Sequence, residues 1–214
     1  VDVAPPGPVN MYGGKSTVDD KDTYGMRDGV VIVYSGSSDE GAATFNMRGG
    51  SITNAKSTSP DFSSTVNMSV VLVLNDKNSA TNGCSCDFNM TGGEITGNQR
   101  RAVYVGAKIS GTATATATLT GGTISGNVDI KNGEGNGVYA DAYSKLILSD
   151  SIKFGANDDI YLYNSSSKVL LLNTLTAEAP VAKIRVPSYS TSTQVLDLAD
   201  GATTTIGDEC GKFA

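Results

Sequence analysis

Phe45-Asn46-Met47-Arg48-Gly49-Gly50-Ser51-Ile52, Phe88-Asn89-Met90-Thr91-Gly92-Gly93-Glu94-Ile95 and Thr118-Leu119-Thr120-Gly121-Gly122-Thr123-Ile124 are three versions of one unit: an alternating run, a Gly-Gly pair and an isoleucine. A recurring strand, glycine corner and strand marks a chain whose units bury their apolar side chains only by stacking on one another. Ile52 to Ile95 is 43 residues, Ile95 to Ile124 is 29 and Ile124 to Ile152 is 28, which sets the basic unit at about 28 residues. The longer first interval contains Ser57-Thr58-Ser59-Pro60-Asp61 and Asp76-Lys77-Asn78-Ser79, both rich in turn formers. It is read as holding an insertion, a loop or an extra hairpin, over about residues 57–84.

Outward from this core, Ala102-Val103-Tyr104-Val105, Gly137-Val138-Tyr139-Ala140 and Asp159-Ile160-Tyr161-Leu162 repeat one order of residue types. At a period of two, Val103, Val105, Val138, Ile160 and Leu162 share one face and the tyrosines point the other way. Phe45 with Met47, Phe88 with Met90, and Leu146 with Leu148 form the inward pairs of the next strand. Asn46, Asn89 and the series Thr112, Thr114, Thr116, Thr118 alternate outward. Three short strands per unit follow, with Ile52, Ile95, Ile124 and Ile152 in the core, the last three on adjacent rungs. Asp150 with Ser151 is expected to replace the Gly-Gly pair in a degenerate final repeat. The asparagines after each isoleucine, Asn54, Asn98, Asn127 and more loosely Asn157, are expected to stack at a corner.

No stretch has the i, i+3, i+4, i+7 spacing of an amphipathic helix. The fold class expected is all-β: a right-handed single-stranded parallel β-helix, a solenoid, with a C-terminal closing β module. Residues 1–28 are assigned to an N-terminal linker or cap, 29–175 to the β-helix repeats and 176–214 to a C-terminal capping β segment.

Gly92-Gly93-Glu94-Ile95-Thr96-Gly97-Asn98 and Gly121-Gly122-Thr123-Ile124-Ser125-Gly126-Asn127 give the unit G-G-x-I-[TS]-G-N, preceded by the Val-Tyr-Val and Phe/Thr-x-Met/Leu strands. This unit resembles the glycine-rich right-handed β-helix repeats of bacterial cell-surface proteins, notably those of spirochaetes and of gut or oral anaerobes. It is loosely similar to the repeats of the chlamydial polymorphic outer-membrane proteins, whose F-x-x-N element is not in register here. The resemblance covers roughly residues 30 to 160. It implies a secreted or cell-surface, adhesin-like protein with a pectin lyase-like fold.

Composition fits that setting. Charged residues are 18% and glycines number 25, so Ser, Thr, Asn and Gly dominate the surface. The net charge is -6 with scattered basic residues, which leaves no nucleic-acid footprint. No run approaches the roughly 20 apolar residues of a spanning helix, so no transmembrane segment is expected. The opening Val1-Asp2-Val3-Ala4-Pro5-Pro6-Gly7-Pro8 reads as a tether in a mature or trimmed chain, part of a larger exported protein. Localisation is expected to be extracellular or at the cell surface. Cys84, Cys86 and Cys210 are an odd set, and with two close cysteines and no histidine neither a metal nor a cofactor is expected.

Pectin lyases and polygalacturonases share the expected fold, so enzymatic readings need weighing. Adjacent acidic pairs such as Asp19-Asp20, Asp39-Glu40 and Asp158-Asp159 do not make an acid/base pair, because neighbours along a strand face opposite sides. Arg100-Arg101 and Lys108 are the possible lyase bases, without acidic residues at the neighbouring outward positions. Asp129-Ile130-Lys131-Asn132-Gly133-Glu134-Gly135-Asn136-Gly137 has calcium-loop composition without calcium-loop spacing. With no histidine, Ser/His and Cys/His dyads are impossible. No catalytic residue is assigned.

The binding candidates are Tyr104, Tyr139 and Tyr161, a ladder about 4.8 Å per rung able to stack on sugar rings or on a partner's apolar surface. The bland alternative is that stacked aromatics stabilise parallel strands. The sequence therefore points to a non-catalytic surface-exposed or secreted bacterial protein acting in adhesion, with a host or environmental glycan or protein as partner. The alternatives are a carbohydrate-active enzyme, a polysaccharide lyase or glycoside hydrolase, and a structural spacer displaying another domain.

Overall fold

The computed structural model describes residues 2–3, 7–11, 15–16, 30–35, 41–55, 69–76, 84–108, 114–128, 135–164 and 166–214. In chain order the strands are β1 (Asp2–Val3), β2 (Gly7–Met11), β3 (Lys15–Ser16), β4 (Val31–Ser35), β5 (Ala42–Thr53), β6 (Ser69–Asn75), β7 (Ser85–Thr96) and β8 (Arg101–Ala107). There follow β9 (Thr114–Ser125), β10 (Val138–Ala140), β11 (Ser144–Asp150), β12 (Lys153–Phe154), β13 (Ile160–Leu162), β14 (Val169–Leu175), β15 (Ile184–Arg185) and β16 (Leu196–Leu198). They make two sheets, and the structure is all-β with parallel pairing. Sheet A has seven strands in the order β1-β4-β6-β8-β10-β13-β15. Sheet B has nine, ordered β16-β14-β11-β9-β7-β5-β2, with β12 beside β9 and β3 beside β5. From β4 to β11 the chain visits the sheets alternately, so each strand pairs with the one two further along.

Register turns sequence alternation into rows of like side chains. Val31, Val71, Val103, Val138, Ile160 and Ile184 are successive partners in sheet A, as are Val33, Val73, Val105, Ala140 and Leu162. Opposite them, Phe45, Phe88, Ala117, Leu146 and Val169 form one row of sheet B, and Met47, Met90, Leu119, Leu148 and Leu171 another. All of these residues are buried in one apolar cluster, with the Phe45 and Phe88 rings stacked at 5.6 Å. β-branched residues fill sheet A because they suit a pleated surface packed from inside.

The second and third strands expected for each unit are one. β5, β7 and β9 each run 12 residues and carry their register shift at the Gly-Gly pair. Gly122 has φ +94°, and a Cβ there would lie 2.6 Å from both the Gly93 carbonyl oxygen and the Met90 methyl. Both the backbone angle and the close stacking on the paired strand β7 therefore demand glycine.

Ile52, Ile95 and Ile124 are register partners and fully buried, but the residue opposite Ile124 is Phe154. Ile152 is buried out of register. From Leu119 to Thr123 is four steps, and between their partners Leu148 and Lys153 it is five, so the final repeat holds an extra residue. Asp150 there takes the positive φ, 54°, that glycine takes elsewhere. The matching 29- and 28-residue intervals are also composite: Ile95 to Val103 is 8 and Val103 to Ile124 is 21, whereas Ile124 to Val138 and Val138 to Ile152 are 14 each. Long and short corners trade places while the sheets stay in register.

The stretch read as an insertion contains β6, whose Val71 and Val73 pair with Val31 and Val33 on one side and Val103 and Val105 on the other. It occupies the place of a Val-Tyr-Val strand, not of an extra hairpin. Residues 56–68 and 77–83 lie outside the described residues. Likewise β1, β2 and β3, within the stretch assigned to a linker or cap, pair with β4 and β5.

At the other end a short helix, α1 (Ile206–Glu209), is capped by Thr205, whose hydroxyl accepts from the Asp208 amide. Glu209 is fully buried: it accepts from the Leu175 amide at 3.1 Å and the Thr204 hydroxyl at 3.0 Å, and pairs with Lys212 at 3.1 Å. The tail bridges Ala182 to Phe213 beside β15, which covers a strand edge.

Candidate functional site

Tyr104, Tyr139 and Tyr161 are register partners, as their shared motif requires. Their rings stack with centroids 5.5 and 5.2 Å apart. The ladder is present, but it is not open. Tyr104 is 2% exposed and Tyr139 and Tyr161 are 9%, and with Leu72 they form a second apolar cluster on the outer side of sheet A, against Ile32 and Leu74. The rings are thus not the exposed stacking platform expected from alternation.

Several groups cover them. The Arg101 guanidinium lies 4.4 Å from the Tyr139 ring centre, a cation-π contact inside the cluster. The chain at Gly135 passes so close that a Cβ there would sit 3.1 and 3.2 Å from the Tyr161 and Tyr139 Cβ atoms. The Tyr104 hydroxyl donates to the Asp141 carboxylate. Burial, then this hydrogen bond, pushes the Tyr104 phenol far above its ordinary range. Burial and the Asp141 charge also raise Tyr139, against the opposing pull of Arg101.

The acidic pair of the sequence is divided. Asp158 accepts from the Gly126 and Asn127 amides at 2.6 and 3.0 Å and from Asn127 Nδ2 at 2.8 Å. Asp159 accepts from the Asn136 amide at 2.8 Å and pairs with Arg185 at 3.2 Å. Both carboxylates serve backbone amides and neighbouring side chains. Asp158, not Asn157, ends the corner ladder: Asn98 Nδ2 donates to Asn127 Oδ1 at 2.7 Å, and Ala55 rather than Asn54 stands at the first position, its amide donating to Asn98 Oδ1 at 2.9 Å. Asn54 takes the positive-φ place of Gly97 and Gly126.

Arg100 and Arg101, weighed as bases, are buried, and Lys108 pairs with Asp76 at 3.2 Å. Asp19, Asp20, Asp39, Glu40, Thr112 and residues 129–134 lie outside the described residues. Cys84 and Cys86 are buried, Cys210 is exposed, and all three are free thiols. Among the described residues no group of three His, Cys, Asp or Glu side chains gathers to hold a metal, and no helix is long and apolar enough to cross a membrane.

Exposed aromatic surface lies one corner away from the ladder. Tyr143, Tyr163 and Tyr189 are 55%, 50% and 68% exposed. They sit in three successive connections from sheet A to sheet B, after β10, β13 and β15. The Ser144 hydroxyl donates to the Asp141 carbonyl at 2.6 Å, and the Ser167 hydroxyl lies between that carbonyl, at 3.4 Å, and Asn164 Oδ1, at 3.2 Å, which brings the first two connections together. The Tyr163 ring leans on Tyr139 with centroids 6.0 Å apart. Beside it is a groove of about 200 Å³, formed by Tyr163 and Asn164 with Val186, Ser188, Gln194 and Val195 of the loop between β15 and β16. A larger cleft of about 390 Å³ is lined by Lys153, Phe154, Glu178 and Pro180, with Glu178 the single carboxylate among its described residues.

Sequence reasoning missed the Tyr163 corner because it followed tyrosines inside strands. The available signal was tyrosine embedded in turn-forming residues, as in Tyr163-Asn164-Ser165 and Ser188-Tyr189-Ser190. No family model, curated protein or solved structure matches the chain.

Proposed function

We propose that this chain is a right-handed parallel β-helix of a secreted or cell-surface bacterial protein, and that it acts in adhesion by binding a glycan or protein without catalysing a reaction. The alternation of strands between two parallel sheets supports the coiled reading, and right-handed crossover is the rule for parallel strands joined across another layer. One observation carries the binding reading: three exposed tyrosines stand on successive connections from sheet A to sheet B, and the middle one, Tyr163, lines a groove. Large aromatic rings in water favour a partner that covers them.

The test is to measure the purified chain on a panel of immobilised glycans and on whole cells, beside an assay for released reducing or unsaturated sugar. Retention without sugar release is expected. Sugar release would replace this reading with the carbohydrate-active enzyme, and retention on neither surface would leave the spacer.

A further inference from the structure

Resting on that binding reading, we infer that the groove beside Tyr163 is a site for one ring of an uncharged saccharide chain. The groove residues supply one aromatic face, Tyr163, an apolar floor from Val186 and Val195, and a rim of neutral donors and acceptors. Asn164 Oδ1 is taken by the Ser166 and Ser167 amides at 2.9 and 3.0 Å, which leaves its amide nitrogen as a donor. Gln194 Nε2 is spent on the Leu196 carbonyl at 3.0 Å, which leaves its side-chain oxygen as an acceptor. Ser188 offers both roles.

Among the described residues, none in the groove wall carries a charge. Of the charges next to the wall, Lys168 beside Ser167 pairs with Asp197 at 2.8 Å, and Arg185 beside Val186 pairs with Asp159 at 3.2 Å. A phosphate or carboxylate would find neutral donors but no cation in the described wall, whereas a sugar ring meets what it needs: a ring to stack on and hydroxyl-sized neutral groups around it. At about 200 Å³ the groove is smaller than the roughly 300–1,000 Å³ of sites that engulf a ligand, so it takes one ring and lets the chain run on over the surface. Tyr143 and Tyr189 stand on the flanking connections where a continuing chain would pass. Tyr163 is itself braced from behind by Tyr139, which makes the buried ladder a support for the exposed ring.

The experiment is binding of the chain to immobilised neutral oligosaccharides (glucans, mannans and galactans) beside polygalacturonate and heparin, with Tyr163→Ala, Tyr163→Phe and the parent compared. Capture by neutral oligosaccharides, weakened at least tenfold by Tyr163→Ala and kept by Tyr163→Phe, is the expected result. Circular dichroism of each variant confirms that the fold is retained, and Ser188→Ala with Gln194→Ala gives a second route to the same loss. Neutral capture that survives Tyr163→Ala overturns the site while leaving the binding function. Capture only by acidic glycans or by cell-surface protein overturns the ligand class. Capture by nothing overturns both this inference and the function on which it rests.

Discussion

The outer faces of the two sheets have the same spacing and opposite fates. On sheet B the row Asn10, Asn46, Asn89 and Thr118 is polar and partly open, with Asn46 Nδ2 donating to Asn10 and Asn89 Nδ2 to Asn46, both at 2.9 Å. On sheet A the row Ile32, Leu72, Tyr104, Tyr139 and Tyr161 is apolar and largely covered. A period of two says which side of a strand a residue occupies. Whether that side meets water depends on what the connecting segments lay across it.

The sharpest way to break this contrast is at the centre of the covered row. Tyr139→Ala removes a ring held between Tyr104 and Tyr161 under Arg101, and should cost about 3–5 kcal/mol, the range for truncating a buried aromatic. Ile124→Ala, in the main core, should cost a similar 2–5 kcal/mol. Denaturant midpoints of the two variants measure both. A Tyr139→Ala midpoint near the parent's would put the ladder on the surface after all.

Next in size is the corner. Asn127→Ala strips the acceptor of Asn98 Nδ2, a donor to Asp158 and the partner of the Ile95 carbonyl, which it bonds at 2.9 Å. Groups left without partners in a buried site make a loss of about 2–3 kcal/mol the expected outcome of the same titration. Loss of under 0.5 kcal/mol would mean that water satisfies the ladder and that the corner is open.

These positions also mark how far the sequence could be read. Phe45-Asn46-Met47 and Phe88-Asn89-Met90 carry their inward and outward assignments in their own alternation, and Gly92-Gly93 announces its corner, because those constraints are local. The cover over Tyr139 is not local: Arg101 and Gly135 reach it from separate segments, and nothing in Val138-Tyr139-Ala140 encodes them. Corner lengths deceive for a related reason. A corner can lengthen at no expense to sheet register, so Phe154 rather than Ile152 meets Ile124, and Asp158 rather than Asn157 ends the ladder. The helix at Ile206–Glu209 is too short for periodicity, although its Thr205 cap was readable.

A smaller effect separates the two faces by pH. The folded state holds the Tyr104 proton more tightly than the unfolded chain, whose phenol titrates near 10. This contribution is therefore whole below about pH 10 and is lost as pH climbs from there toward the folded value, by about 1.4 kcal/mol per pH unit. Stability measured from pH 8 to 11 should fall above 10, with phenolate absorbance from Tyr104 appearing only on unfolding. Tyr104→Phe should lose about 1–2 kcal/mol at neutral pH, for the hydrogen bond to Asp141, and show a shallower alkaline fall. An alkaline slope unchanged in that variant would remove Tyr104 from the account.

The smallest effect belongs to the open row. Asn89→Ala deletes one amide from the Asn10, Asn46, Asn89 chain, but its surroundings are half-exposed, so water replaces the lost partner of Asn46 Oδ1. The inward neighbours Phe88 and Met90 keep their packing, and the strand keeps every backbone bond. What remains is a cross-strand side-chain term of about 0.2–1 kcal/mol. The same denaturant titration that reads Tyr139→Ala should therefore place Asn89→Ala within about 1 kcal/mol of the parent. If Asn89→Ala matched Tyr139→Ala, the polar row would be as enclosed as the aromatic one, and the difference between the two faces would lie in their chemistry rather than in their cover.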